Sequence, residues 1–279
     1  MSATAHPARA VRRRLPGSLL AGSTILLFGI VLAAVPQLLA PFSPLRFDYA
    51  HLLSAPSPLH PLGTDEFGRD MLSRVIWGYA VDMQIALFAT LPALLIGTVV
   101  GALAGFFGGL AETMLVQLVG VVVAFPFLVL VIAIVTVLGP GLINMYVATA
   151  LVGWVFYAQL MMAEMKLQRR LDYAAAARAM GYGQVRIIFR HLLPNAITAV
   201  LIYWMTDMAL AILLGSSLGY LGLGAQPPVA EWGALIAGGK NYMSTAWWMT
   251  VFPGIAIVVT GLGFSLTGDG LGTLLGVRR

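Results

Sequence analysis

Few side chains in this 279-residue chain have the type and spacing needed for chemistry, and the first to weigh is an acid. Asp207 falls well inside an apolar run. A carboxylate in such a place is costly and often functional. It could line a pathway, pair with a group on a partner chain, hold a proton, or bond to Thr206 or a neighbouring helix. The four histidines, His6, His51, His60 and His191, are scattered, with no HExxH and no other paired-ligand spacing, so no metal site is predicted. Residues 233–241, GALIAGGKN, miss the Gly-x4-Gly-Lys-Ser/Thr spacing of a phosphate-cradling loop. There is no Gly-x-Ser-x-Gly elbow and no cysteine, which excludes a thiol nucleophile, a thiolate metal site and a disulfide framework. No catalytic residue is predicted, and no cofactor is expected in this chain.

The stretch that departs most from its surroundings is 172–195, DYAAAARAMGYGQVRIIFRHLLPN. It is helix-forming, basic and amphipathic, and it lies between two long apolar runs. It carries Arg178, Arg186 and Arg190 against one acid, Asp172. Residues 173–180 are nearly all good helix formers. Gly181 and Gly183 then interrupt, as glycines do where a helix stops and the chain turns. A second short helix is predicted over 184–192, and Pro194 suits the first turn of the next helix. The pattern predicts a helix–turn–helix knuckle at a membrane surface, basic face outward.

A second polar stretch is 60–74, HPLGTDEFGRDMLSR. Gly63 permits a tight turn, Thr64 or Asp65 can cap a following helix, and Glu66 adds negative charge near its start. Asp70 and Arg74 are spaced i,i+4 and predict an ion pair.

These stretches carry a family resemblance. Residues 172–195 resemble the cytoplasmic coupling loop of ABC importer permeases, the EAA motif. Ala175, Ala176 and Ala177 stand at its Glu-Ala-Ala, Gly181 at its glycine, His191 at its hydrophobic position, and Leu193-Pro194 at its Leu-Pro. The family's glutamate is replaced by Ala175. Arg190 to Asn195 is more like the peptide and nickel branch. Residues 60–74 resemble the HPLGTDxxGRDxxSR signature of the second permease subunit in dipeptide, oligopeptide and nickel importers. Residues 221–228, with Glu231-Trp232-Gly233, resemble the same branch's outer loop, although Gly219 and Gly215 replace polar residues there. The tail keeps Gly268-Asp269 of the family's ending and loses the rest.

The elements that must position these motifs are membrane helices. The chain is 59% hydrophobic and 10% charged, with a mean hydropathy of +0.90, more apolar than a soluble core requires. Several runs exceed the roughly 18 apolar residues of a membrane span. Six spans are predicted: 18–40, 80–107, 113–138 bent at Pro126, 142–163, 196–215 and 246–267. The first is read as an uncleaved helix, because its run is long for a signal peptide and no convincing cleavage site follows. Gly97, Gly101 and Gly105 make a smooth face suited to close helix packing. Trp232, Tyr242, Trp247 and Trp248 suit an interfacial aromatic belt.

Charge sets the orientation. Arg9, Arg12, Arg13, Arg14, Lys166, Arg169, Arg170, Arg178, Arg186, Arg190, Arg278 and Arg279 fall on one side, against Arg46, Arg69, Arg74 and Lys240 on the other. The richer side is cytoplasmic by the positive-inside rule, with both termini there. The net charge of +5 is thus a membrane signal, and no nucleic-acid partner is expected.

The expected fold is all-α, a polytopic membrane protein of six transmembrane helices resembling a type I ABC importer permease. Its parts are a cytoplasmic tail, 1–17, and a permease domain, 18–279, with outer loops 41–78 and 216–245 and a coupling loop at 166–194. The resemblance implies a bacterial inner-membrane subunit that moves di- or oligopeptides. Nickel or another small solute is an alternative cargo, and an ion-coupled secondary transporter a further alternative. It also implies a homologous second permease, two ABC ATPases that bind ATP and Mg, and an extracytoplasmic solute-binding protein. It assigns ATPase coupling to Asp172, Tyr173, Ala175, Ala176, Ala177, Arg178, Gly181, Arg190, His191 and Pro194. It assigns contact with the binding protein to Gly63, Thr64, Asp65, Gly68, Arg69, Asp70, Glu231 and Trp232.

Overall fold

A long helix, α3 (Met71–Phe107), runs the length of the molecule and the rest is arranged on it. It starts at Met71 rather than at residue 80 because Asp70 caps it. The Asp70 Oδ2 accepts from the Ser73 N–H at 2.8 Å and from the Ser73 hydroxyl at 2.7 Å. Thr64 and Asp65, the predicted caps, lie in the turn before it. The computed structural model describes residues 15–276, so Arg9, Arg12, Arg13, Arg14, His6, Arg278 and Arg279 lie outside the described residues.

Before α3 come α1 (Gly17–Ala34) and the short α2 (Pro36–Leu39). After it come α4 (Gly109–Val123), α5 (Phe127–Leu138) and α6 (Leu142–Arg169). Then follow α7 (Asp172–Ala179), α8 (Gln184–Ile187), a π-helical turn (Ile188–Leu192) and α9 (Leu193–Tyr220). The last elements are α10 (Trp232–Gly239) and α11 (Trp248–Leu275). There is no β-strand among the described residues. Among the described residues, five helical runs are long and apolar enough to cross a membrane, and α4 with α5 makes a sixth when counted as one broken span. The break at Pro126 is an 84° turn between two helices, sharper than the single bent span predicted.

The glycine face of α3 does what its spacing predicts. A Cβ at Gly97, Gly101 or Gly105 would run into the backbone carbonyl oxygen of Trp154, Ala158 or Met162 on α6. The two backbones touch because those positions carry no side chain. α11 packs on α1 in the same way, and a Cβ at Gly270 would meet the backbone of Leu19. The helix predicted to end at 267 continues to Leu275, so Gly268 and Asp269 are helical. α9 likewise runs on to Tyr220, past the expected end at 215.

Candidate functional site

At one end of α3, residues 172–194 form the predicted knuckle. α7 is tied to the end of α6, where the Tyr173 hydroxyl donates to Gln168 Oε1 at 2.7 Å and Arg178 donates to the Arg169 carbonyl. The chain reverses at Gly181, whose φ of +78° is a left-handed conformation that a side chain would strain. A Cβ there would meet nothing, so the glycine serves the turn and not a contact. The second helix differs from the expectation. Only residues 184–187 are α-helical, and Ile188–Leu192 widens into a π turn that merges with α9. Pro194 explains this locally, since it has no N–H to complete an α-helical bond at its own position.

Ala174, Ala177, Ile187, Ile188 and Leu192 turn inward against Met161, Met165 and Tyr157 of α6. Asp172, Ala175, Ala176, Arg178, Gly181, Arg190 and Pro194 are exposed, with Tyr173 and His191 half-buried. His191 packs its ring against Tyr182, and the Arg186 guanidinium lies over the same Tyr182 ring, 4.0 Å from its centroid. Sequence reading gave the basic face but missed its apolar part. Met180 is 61% exposed, Val185 71% and Phe189 62%, set among Arg178, Arg186 and Arg190. At the same end, Lys166 pairs with Glu112 across the α4–α6 contact.

At the other end of α3, the 60–74 and 219–232 blocks meet. Asp65 organises a turn: its Oδ1 accepts the N–H groups of Phe67 and Arg69, both at 2.9 Å. Its Oδ2 accepts Arg69 Nε at 2.6 Å and lies 3.7 Å from Arg74 Nη1. Arg74 therefore faces Asp65, and the predicted Asp70–Arg74 pair does not form. Asp70 faces His60 instead, with 2.9 Å between Oδ1 and Nδ1. Gly68 has φ +73°, and any side chain there would collide with the Asp48 carbonyl.

Glu231 caps α10 through the N–H groups of Gly233 and Ala234, at 2.7 and 2.8 Å. Its carboxylate fills the space left by Gly219, where a Cβ would overlap it. Burial pushes the Glu231 carboxyl up to about 7. The Trp232 backbone N–H donates to Asp82 on α3 at 3.2 Å, and its indole N–H donates to the Val75 carbonyl at 3.1 Å. Asp82 is fully buried, so Asp207 is not the only acid inside a long apolar helix, as the sequence suggested. The assumed span start at 80 hid it.

Thr64, Asp65, Asp70, Glu231 and Trp232 are at most 2% exposed, Gly63 and Gly68 are buried and Arg69 is mostly covered, so within this chain they shape the loop from inside. One expectation is corrected here: Trp232 and Trp248 are not belt residues. Trp248 is buried and donates its indole N–H to the Thr64 carbonyl at 2.9 Å. Trp247 is exposed, and Tyr242 is half-buried. The two blocks enclose one open cavity of about 510 Å³, lined by Asp65, Glu66, Arg69, Arg74, Tyr220 and Gln226 among others.

Between the two ends lies Asp207. Its Oδ2 accepts the Tyr157 hydroxyl of α6 at 2.5 Å, not Thr206. It opens on a cavity of about 390 Å³ lined by Thr90, Thr149, Phe127, Phe156, Tyr203 and small residues of α3, α6 and α9. Trp204 donates to Thr90 at 2.7 Å at the same level.

A helical core with a glycine-seamed span, an exposed knuckle at one end and a capped loop assembly at the other defines a membrane permease component. Residues 97–278 match the family of binding-protein-dependent transport system inner membrane components, and the chain belongs to that family. It is a multi-pass membrane protein and not itself an ATPase. It is 37% identical over 252 residues to the glutathione transport system permease protein GsiD of Pectobacterium atrosepticum, covering 90% of this chain and 83% of that one. It is 36% identical over 250 residues to the dipeptide transport system permease protein DppC of Alkalihalophilus pseudofirmus, covering 90% and 82%. It is 38% identical over 237 residues to the probable D,D-dipeptide transport system permease protein DdpC of Escherichia coli, covering 85% and 80%.

Proposed function

We propose that this chain is the second of two permease subunits in an ATP-driven importer of di- or oligopeptides. The knuckle carries the reading. Its inner face is fixed to α6 and α9, while Met180, Val185 and Phe189 stand bare among arginines. An apolar tip ringed by charge on a surface otherwise built for water is what a partner's groove covers. The partner is an ABC ATPase, one of two, which bind the ATP and Mg that this chain does not hold. Closing of the ATPase pair on ATP moves the knuckle, and the knuckle moves α6 and α9 together, because Ala174, Ala177 and Leu192 are packed against Tyr157 and Met161.

The homologous second permease completes the pathway. Asp207 and its cavity line that pathway, where the carboxylate suits the positively charged amino end of a peptide. The opposite end of α3 faces the outside and receives the extracytoplasmic binding protein through exposed side chains such as Phe67 and Tyr220. The buried residues beneath them hold that surface in shape. The knuckle and both termini lie on the cytoplasmic side of a bacterial inner membrane, in accord with the arginine distribution. Peptide as cargo follows the names of the dipeptide and D,D-dipeptide relatives.

The test is affinity purification from native membranes in mild detergent, with partners identified by mass spectrometry. An ATPase and a second permease are expected with the wild type, and loss of the ATPase with Gly181→Asp, which forces a side chain into the φ +78° position. Recovery of the chain alone, still competent in transport, overturns the reading.

A further inference from the structure

The segment between α2 and α3 gathers a set of side chains to which the proposed transport function gives no role. Residues 48–54 run back along residues 63–70, joined by Asp48 N–H to the Phe67 carbonyl, Leu53 N–H to the Asp65 carbonyl and Thr64 N–H to the Ser54 carbonyl. The reversal brings together histidines that are far from any ligand spacing in sequence. One ligating atom from each of Asp48, His51 and His60 lies within 4.8 Å of the others. The His51 and His60 ring centroids are 5.6 Å apart.

His60 is the informative member. It is 3% exposed, and its Nδ1 is 2.9 Å from the Asp70 carboxylate. A carboxylate accepts and does not donate, so this bond places a ring proton on Nδ1, and the neutral imidazole then carries its lone pair on Nε2. That Nε2 is buried and has no hydrogen-bond partner among the described residues. A buried acceptor left bare is costly. An imidazole held by a carboxylate on one nitrogen, with the other free, is the arrangement that orients a histidine toward a metal. Asp48, His60 and Asp70 also line one cavity of about 80 Å³, together with Phe42 and Leu59. A water-sized occupant needs only about 10–15 Å³. Arg46 is the one cation on its wall, set over the Phe42 ring at 5.3 Å. Two carboxylates, Asp48 and Asp70, outweigh it.

We propose that Asp48, His51 and His60 form a binding site for a first-row divalent transition-metal ion, with Asp70 as the positioning residue behind His60. Two imidazoles and one carboxylate suit Zn²⁺ and its neighbours, whereas Ca²⁺ and Mg²⁺ take oxygen ligands. Asp48 and His51 now bond each other at 2.9 Å, and both are part-exposed, so they are free to exchange that bond for the ion. Three protein donors leave a tetrahedral position for water or for a donor from another chain. A bound ion ties the 48–51 turn to Asp70, the residue that caps α3. The site does not depend on the cargo or on ATPase docking.

The test uses the full chain, free of any affinity tag, in lipid nanodiscs and stripped with EDTA. Zn²⁺ is titrated in competition with a chromogenic chelator, and the bound ion is examined by X-ray absorption. The wild type is expected to take one equivalent of Zn²⁺ with two imidazole donors. His51→Ala, at a side chain 43% exposed and therefore tolerant of change, is expected to lose one imidazole from the spectrum and to bind at least about tenfold more weakly. Asp48→Asn is expected to weaken binding while keeping both imidazoles. Absence of a bound equivalent in the wild type, or an unchanged affinity and spectrum in His51→Ala, overturns the proposal.

Discussion

The two ends of α3 break the inside–outside rule in opposite directions. At the 60–74 and 219–232 end, charged residues are inside: Asp65, Asp70, Arg74 and Glu231 are all 6% exposed or less. Each is held by a partner, a backbone N–H, a guanidinium, an imidazole or, for Arg74, the Asp65 carboxylate. At the knuckle, large apolar residues are outside, with Met180, Val185 and Phe189 more than half exposed. They have no partner among the described residues. Buried polar groups with partners hold a loop in shape. Exposed apolar groups among charges suit cover by another chain, the role proposed for the knuckle. The same motif resemblance covers both ends, yet its residues are mostly buried at the first and mostly exposed at the second.

Substitutions should separate the two sharply. The largest effect is expected for Asp65→Ala, which strands Arg74 and leaves Arg69 only Glu66, at 3.8 Å. Breaking a buried ion pair on one side costs about 3–5 kcal/mol, so thermal unfolding in nanodiscs should shift strongly downward. A wild-type unfolding curve for this variant would remove the scaffold role.

Next comes pH. Burial raises Glu231 from 4.5 to about 7 in the folded chain. Between those values the folded state keeps a proton that the unfolded state has released, so its contribution is present below the lower value and is lost as pH rises through the upper one. The molecule should be roughly 2 kcal/mol less stable at pH 8 than at pH 5 through this group. Glu231→Gln should flatten that part of the profile, and a stability that rises with pH through this group would contradict the assignment.

Gly101→Val should cost about 1–3 kcal/mol by forcing α3 away from the Ala158 carbonyl, and unfolding in nanodiscs again reads it. Smallest in stability is Phe189→Ser at the knuckle, within about 0.5 kcal/mol of wild type, as for an exposed site. Its effect should fall instead on recovery of the ATPase, and retained recovery would remove Phe189 from the docking surface.

How far the sequence could be read follows the same division. The knuckle was legible because its signals are local: a run of helix formers, Gly181 to turn the chain, and Pro194 to begin the next helix. The Gly97, Gly101 and Gly105 seam was legible for the same reason. What the sequence hid depends on chain reversals. Asp70 was matched to Arg74, its neighbour by helical spacing, but the loop turns Arg74 toward Asp65 and brings His60 to Asp70. Thr64 and Asp65 read as the cap from sequence, and only the fold selects Asp70. Asp82 was overlooked because the polar residues around 70–74 made the helix seem to begin later. Tyr157, the partner of Asp207, is fifty residues away on another helix and carries no local mark. The apolar tip of the knuckle was hidden because Met180, Val185 and Phe189 look like core residues until the inward face is seen to be alanine, isoleucine and leucine.

The contrast between the two ends is tested most directly by single cysteines, since the natural chain has none. Phe189→Cys and Thr64→Cys would be made separately and treated, in native membranes, with a short bifunctional cross-linker and a thiol label. The account predicts that the cysteine at 189 cross-links to an ABC ATPase and is labelled only when the ATPase is removed. The cysteine at 64 should stay unreactive in the folded protein and join to nothing. A reactive cysteine at 64 with a silent one at 189 would reverse the assignment of scaffold and contact surface.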